Sequence, residues 1–164
     1  MLLQNLRARM NARLSGDREA GFTLIELLVV MLILGILAAI AIPAFFSQRE
    51  KANDAQSKAM VRSAQTAIEA YATDNSGSYA GAEGSDLKAA EETILLEGEG
   101  DASDPNLVAV TVPEGGATYT VTVDSPASGN EFSISREAGG VVTYTCGPAT
   151  EDGNAGCPAD ESWD

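Results

Sequence analysis

The stretch Gly21 to Phe46, GFTLIELLVVMLILGILAAIAIPAFF, sets the reading of everything around it. From Leu27 to Ile42 every residue is apolar or glycine, and apolar character resumes after Pro43 through Phe46. At about 1.5 Å per residue, a helix of this length crosses a hydrocarbon core of about 30 Å, so a membrane-spanning helix is expected. Glu26 lies one turn inside it. A carboxylate there costs about 2.5 to 3.5 kcal/mol or more in lipid and calls for protonation, a partner or removal from lipid by assembly. The preceding Arg18-Glu19-Ala20 makes Gly21-Phe22 a junction between a polar leader and an apolar helix. A cut at that junction would leave a new amine on Phe22, one helical turn before Glu26.

Gly21-Phe22-Thr23-Leu24-Ile25-Glu26 followed by the apolar run resembles the processing site of type IV pilins and the related type II secretion pseudopilins. The likeness covers Gly21 to about Gly81, with a similar architecture beyond. It implies cleavage after Gly21 by a membrane-bound prepilin peptidase and N-methylation of Phe22. It also implies that Glu26 pairs with the N-terminus of a neighbouring subunit during assembly. Pro43 is similar in position to the proline that kinks the helix in that family. The implied partners are copies of the same chain in a helical homopolymer, the peptidase, an inner-membrane pilus assembly platform, and membrane lipid before assembly. A glycine at position 21 suits a cleft beside the bilayer, because it permits close backbone approach at little cost.

Length and charge limit the architecture. A chain of 164 residues, with Met1 to Gly21 as a removable leader, builds one helix and one modest domain. The formal charge is −14 and unevenly placed. Arg7, Arg9, Arg13 and Arg18 outweigh Asp17 and Glu19 in the leader, and beyond Thr73 only Lys88 and Arg136 are basic. So acidic a domain argues against direct nucleic-acid binding, which needs basic residues against phosphate. The basic leader beside an apolar helix places the N-terminus in the cytoplasm and the acidic domain outside, as a single-pass cytoplasmic membrane protein; the resemblance implies that it then joins a cell-surface filament. Cys146 and Cys157 are the two cysteines of the chain, and export to an oxidising space makes a disulfide their natural state, contributing about 2 to 3 kcal/mol. With no Cys-x-x-Cys and no histidine, a zinc or redox site is not expected.

The expected fold is α+β and pilin-like, a long N-terminal helix packed on a C-terminal antiparallel sheet. The leader spans 1–21, the transmembrane and assembly helix 22–46, and an amphipathic half 47–74. In that half Ala52, Ala55, Ala59, Met60, Ala64, Ala67, Ile68 and Tyr71 recur at spacings of three and four. Lys51, Asp54, Lys58, Arg62 and Glu69 fall opposite, with Asp54 and Lys58 as an i,i+4 pair. Gly35 and Pro43 mark where this helix should yield on leaving the membrane. A connection over 75–106 begins with turn formers, Gly77 being the expected left-handed residue, and holds a short helix over Ser85–Leu96 capped by Ser85 or Asp86. In the sheet region 107–145 the period switches to two over Leu107–Val112, Thr118–Val123, Glu131–Arg136 and Val141–Thr145, an antiparallel meander. A disulfide-closed loop and tail occupy 146–164, where Trp163 either folds back or joins a subunit contact.

No nucleophile, base or metal constellation stands out, and the scattered carboxylates read as a solvated face. No cofactor or catalytic residue is expected. Glu151, Asp152, Gly153 and Asn154 could hold a weak calcium ion, but their spacing falls short of an EF-hand loop. An ordinary signal peptide cut after Ala39-Ile40-Ala41 is the alternative to peptidase processing, and it would bury Glu26 inside its apolar core. The function expected is a structural type IV pilus subunit, in adhesion, motility or DNA uptake. The alternatives are a secretion or competence pseudopilin, and a monomeric membrane-anchored module.

Overall fold

The computed structural model describes residues 21–96, 107–148 and 154–163. Two compact units divide at Ile42 and Pro43. Helix α1, Leu24–Asp74, contributes to both and stays helical through Gly35 and Pro43. The rest of the second unit, called the head, adds α2 (Gly84–Ala90), β1 (Leu95–Leu96), β2 (Leu107–Thr111), β3 (Tyr119–Ser125), β4 (Asn130–Arg136) and β5 (Val142–Gly147).

Local chemistry ends α1. Gly77 donates its N–H to Ala72 O at 2.7 Å and the Asn75 amide side chain donates to Tyr71 O at 2.9 Å. Both Ser76 and Gly77 are left-handed, with φ of 59° and 84°, so the reversal takes two residues rather than Gly77 alone. The short helix differs from the expected Ser85–Leu96. It starts from Glu83, whose backbone N–H donates to the Asp86 carboxylate at 2.9 Å, and it stops at Ala90. Ile94 then enters the core, and Leu95 and Leu96 pair in parallel with Leu107 and Val108. Apolar Ile94-Leu95-Leu96 is better satisfied by the sheet than by another helical turn.

The sheet therefore has five strands in the order β1-β2-β3-β4-β5, antiparallel except for the first pair. Alternation along each strand sends Val108, Val121, Val123, Phe132 and Ile134 into the core. The opposite face pairs hydroxyls across strands, Thr120 with Ser135 at 2.9 Å and Ser133 with Thr145 at 2.8 Å. Val141, expected to open the last strand, is outside it and exposed.

The inner face packs on α1, but the stripe it meets differs from the one the apolar residues suggest. The buried positions are Asp54, Ser57, Val61, Ala64, Ala67, Ile68 and Ala72, while Ala52, Ala55 and Ala59 face outward. Alanine gains little by burial and tolerates exposure, so it marks a helix face poorly. Asp54 is wholly buried because Ser125, Ser128, Asn130 and Gly156 all donate to its carboxylate. Glu69, also assigned to the outer side, is a second anchor. Its Oε1 accepts from Tyr119 at 2.9 Å and from Arg136 at 2.8 Å, and its Oε2 accepts from Tyr79 at 2.8 Å. The reading of the carboxylates as a solvated face fails at these two positions.

Trp163 folds back. Its indole N–H donates to Thr145 O at 2.7 Å, and its ring meets Phe132 and Tyr144 edge-on. Lys58 and Arg62 lie over it, at 5.5 and 5.3 Å from the ring centre. Burial holds the Lys58 ammonium below its ordinary value, with Asp54 opposing the shift and Arg62 adding to it. The tail is further tied by Cys146 N–H to Glu161 O at 2.8 Å and by a bridge between Thr145 and Ser162.

Close approach and hydrogen bonding in the head can each be tested. Gly116 is left-handed at φ 62°, and a Cβ there would lie 2.4 Å from Ala80 N and 2.6 Å from Ala80 Cβ. Its carbonyl accepts the Tyr79 N–H at 2.9 Å, so the β2–β3 turn and the segment after α1 need this close approach. Gly116→Ala should destabilise the head by about 1 to 3 kcal/mol or more, read as a lower urea midpoint. Tyr79 and Tyr119 are both raised above the ordinary 10.0, first by burial and then by their hydrogen bonds to Glu69. A raised folded-state value means stability present below pH 10.0 and lost as pH climbs beyond it. Lys58 acts in the opposite sense as pH rises towards 10.5. Tyr119→Phe should cost about 1.5 kcal/mol at neutral pH and flatten the alkaline fall in Tm.

Candidate assembly segment

Thr23 starts α1. Its hydroxyl oxygen accepts from the Glu26 N–H at 3.3 Å, and Glu26 Oε2 accepts from both the N–H and the hydroxyl of Thr23 at 2.8 Å. Leu27 N–H closes the first turn on Thr23 O at 3.2 Å. This is a capping box, in which a Thr and a Glu three residues apart satisfy donors that the first helical turn leaves unpaired. The Thr-x-x-Glu spacing is a local signal for Thr23, overshadowed in the sequence by the lipid cost of Glu26. In the uncleaved chain Glu26 thus bonds its own helix start through one oxygen. Its Oε1 accepts no hydrogen bond from the described residues.

Gly21 and Phe22 precede the helix and are exposed, Phe22 at 80%. Among the described residues a Cβ built on Gly21 or on Gly35 meets nothing within 4 Å, so none of them demands glycine at either position. From Phe22 to Phe46 the large apolar side chains are 47 to 80% exposed. An 18-residue window of α1 has a mean hydropathy of 3.0 and no buried residue, which by length and composition is enough to cross a membrane. Such a surface is stable only when lipid or other protein covers it. Pro43 sits inside α1, followed by an edge-on pair of Phe45 and Phe46 rings.

Cys146 and Cys157 are joined, with Cα atoms 5.8 Å apart. Of the calcium candidates, Glu151, Asp152 and Gly153 lie outside the described residues. The Asn154 amide instead donates to Ser128 O at 3.2 Å and to Asn130 Oδ1 at 2.9 Å. Among the described residues no group of three or more His, Cys, Asp or Glu is arranged to hold a metal.

Residues 16–42 match a family pattern described as the prokaryotic N-terminal methylation motif. The chain is 39% identical over 61 residues to the type II secretion system core protein G of Pectobacterium carotovorum, covering 37% of this chain and 39% of that protein. It is 39% identical over 57 residues to the competence protein ComGC of Halalkalibacterium halodurans, covering 35% of this chain and 56% of that protein. These alignments thus span well under two thirds of each of those relatives. The likeness to fimbrial protein Q of Moraxella bovis runs much further, 32% identical over 139 residues, covering 79% of this chain and 87% of that protein. No solved structure matches the chain significantly. A methylation motif that opens the apolar helix, an α+β head behind it, and a likeness to a fimbrial protein across most of both chains lead to one conclusion: the chain belongs to the pilin and pseudopilin family of structural, non-enzymatic subunits.

Proposed function

We propose that this chain is a subunit of a type IV pilus filament. The observation that carries the reading is the exposed apolar surface from Phe22 to Phe46, which holds a single carboxylate, Glu26, one turn inside. In the precursor this segment spans the cytoplasmic membrane once, with the arginine-rich leader inside. Prepilin peptidase cuts after Gly21 and Phe22 is methylated. An inner-membrane assembly platform then lifts the subunit out of lipid, and the helices of successive copies cover one another. Gly35 and Pro43 are where the helix yields as it leaves the bilayer. Support for a pilus over a secretion pseudopilus comes from the fimbrial likeness, which continues into the head, whereas the secretion protein G likeness stays within about a third of the chain. The second reading, a pseudopilin of a secretion or competence system, keeps every step up to assembly.

Cleavage changes the surroundings of Glu26. The Phe22 amide becomes an amine, and the open oxygen of Glu26 can accept from the amine of the neighbouring copy while the other oxygen keeps the Thr23 cap. A charge pair formed inside an apolar bundle is worth more than one in water, provided both partners arrive together.

Mass spectrometry of material sheared from the cell surface should find N-methyl-Phe22 as the first residue. The mature terminus in the membrane fraction alone would point to the pseudopilin reading, and a start at Ile42 would overturn both. Glu26→Ala should leave cleavage after Gly21 intact and lower filament yield at least tenfold, the order expected from removing one partner of a desolvated pair. A normal yield of sheared filaments from that variant would refute the pairing.

A further inference from the structure

The head holds a second carboxylate with an unusual set of partners. Asp54 is 0% exposed, and both of its oxygens are filled. Oδ1 accepts from Ser125 Oγ at 2.6 Å and from Ser128 Oγ, and Oδ2 accepts from Asn130 Nδ2 at 2.8 Å and from Gly156 N–H at 2.7 Å. Three of these donors come from the β3–β4 turn and its flanks. The fourth is the backbone immediately before Cys157.

Gly156 is gripped on both sides. Its carbonyl accepts at 2.7 Å from Nζ of Lys58, which lies one helical turn beyond Asp54. A Cβ at 156 would fall 2.7 Å from Asp54 Cβ and 2.9 Å from Oδ2, so only glycine allows this seating without displacement. Next to it Asn154 and Cys157 exchange two backbone hydrogen bonds at 2.8 Å. Cys157 is therefore fixed opposite Cys146 by contacts that involve no sulfur.

We propose that Asp54 is a positioning residue for the Cys146–Cys157 bond, seating Gly156 on α1 so that Cys157 faces Cys146 before the sulfurs are joined. The physical drive is desolvation. With α1 and the β3–β4 turn folded, a buried carboxylate lacking its fourth donor is costly, and docking Gly156 removes that cost. The oxidant is a small-molecule disulfide such as glutathione disulfide. One cysteine thiolate attacks it and releases one glutathione; the second thiolate then displaces the other glutathione from the mixed disulfide. Two electrons leave the cysteine pair, one glutathione disulfide becomes two thiols, and the two cysteine protons end on those thiols. Asp54 exchanges neither proton nor electron in this reaction; it raises the local concentration of one sulfur about the other.

The test equilibrates the full-length chain in detergent micelles with mixtures of reduced and oxidised glutathione and reads the closing constant of the disulfide. Asp54→Asn removes the charge and replaces one of the two acceptor oxygens by a donor, and Gly156→Ala blocks the seating. Each should lower the closing constant about 10- to 100-fold, the factor equivalent to one lost hydrogen bond to a charged group. Val61→Ala, in the core and outside this cluster, should lower Tm yet leave the constant unchanged while the head stays folded. An unchanged constant in both cluster variants, or an equal fall in Val61→Ala, overturns the proposal. Should Asp54→Asn fail to fold, Lys58→Met removes the contact to the Gly156 carbonyl, together with the charge beside Asp54 and over the Trp163 ring, and is expected to lower the constant severalfold; no change there also overturns it. In the cysteine-free chain, Cys146→Ser with Cys157→Ser, Trp163 should keep the emission of a buried indole. Emission of an exposed indole would overturn the proposal, since the bond would then place the tail rather than the reverse.

Discussion

A sheet with one apolar face needs something to press it against, and in this head the principal surface is the second half of α1. Val121, Val123, Phe132 and Ile134 are fully buried because Val61, Ala64, Ala67 and Ile68 close over them. Alanine at two of those four helix positions brings the strands close, so that even small side chains exclude water. What fixes the register of helix on sheet is polar. Asp54 and Glu69, about four turns apart, each bind groups from several strands and turns, and a slide of α1 by one residue would leave both carboxylates without partners.

The two halves of α1 contrast in how they hold their acids. Glu26 bonds a residue three positions away, so its contacts are local. Asp54 and Glu69 are satisfied from within the fold, by residues up to 102 positions distant. The first arrangement leaves one oxygen without a hydrogen bond from the described residues and an apolar surface exposed. The second fills each carboxylate from several elements of the head and so ties them together.

The same contrast separates what is legible in the residues from what is not. The apolar run, the Gly21-Phe22 junction and the alternation of Tyr119, Val121 and Val123 with Thr120 and Thr122 are local signals, and they point to an α+β fold with a long first helix. The buried stripe of α1 is hidden because its markers are alanines on both sides, while one buried member is an aspartate whose donors lie 71 to 102 residues away. Leu95 and Leu96 read as helix because two apolar residues carry no period of their own, and only the parallel partner Leu107–Val108 makes them a strand. Trp163 gives no local sign of its place, since the aromatic rings and cations that hold it come from β4, β5 and α1.

The closing of the tail against β5 has a meaning for crowding. A strand at the margin of a sheet offers unpaired backbone groups to any neighbouring chain, a hazard that grows when many identical domains are held side by side. Here one margin is a strand of only two residues, Leu95–Leu96, and the other is partly occupied by Glu161 and Ser162 of the same chain. Among the described residues the cover is partial, lying against Leu107 and Val108 on one margin and at Thr145 and Cys146 on the other. Where the tail lies against β5, that backbone is already taken by the chain's own residues, and a neighbouring chain has no place to add a strand there.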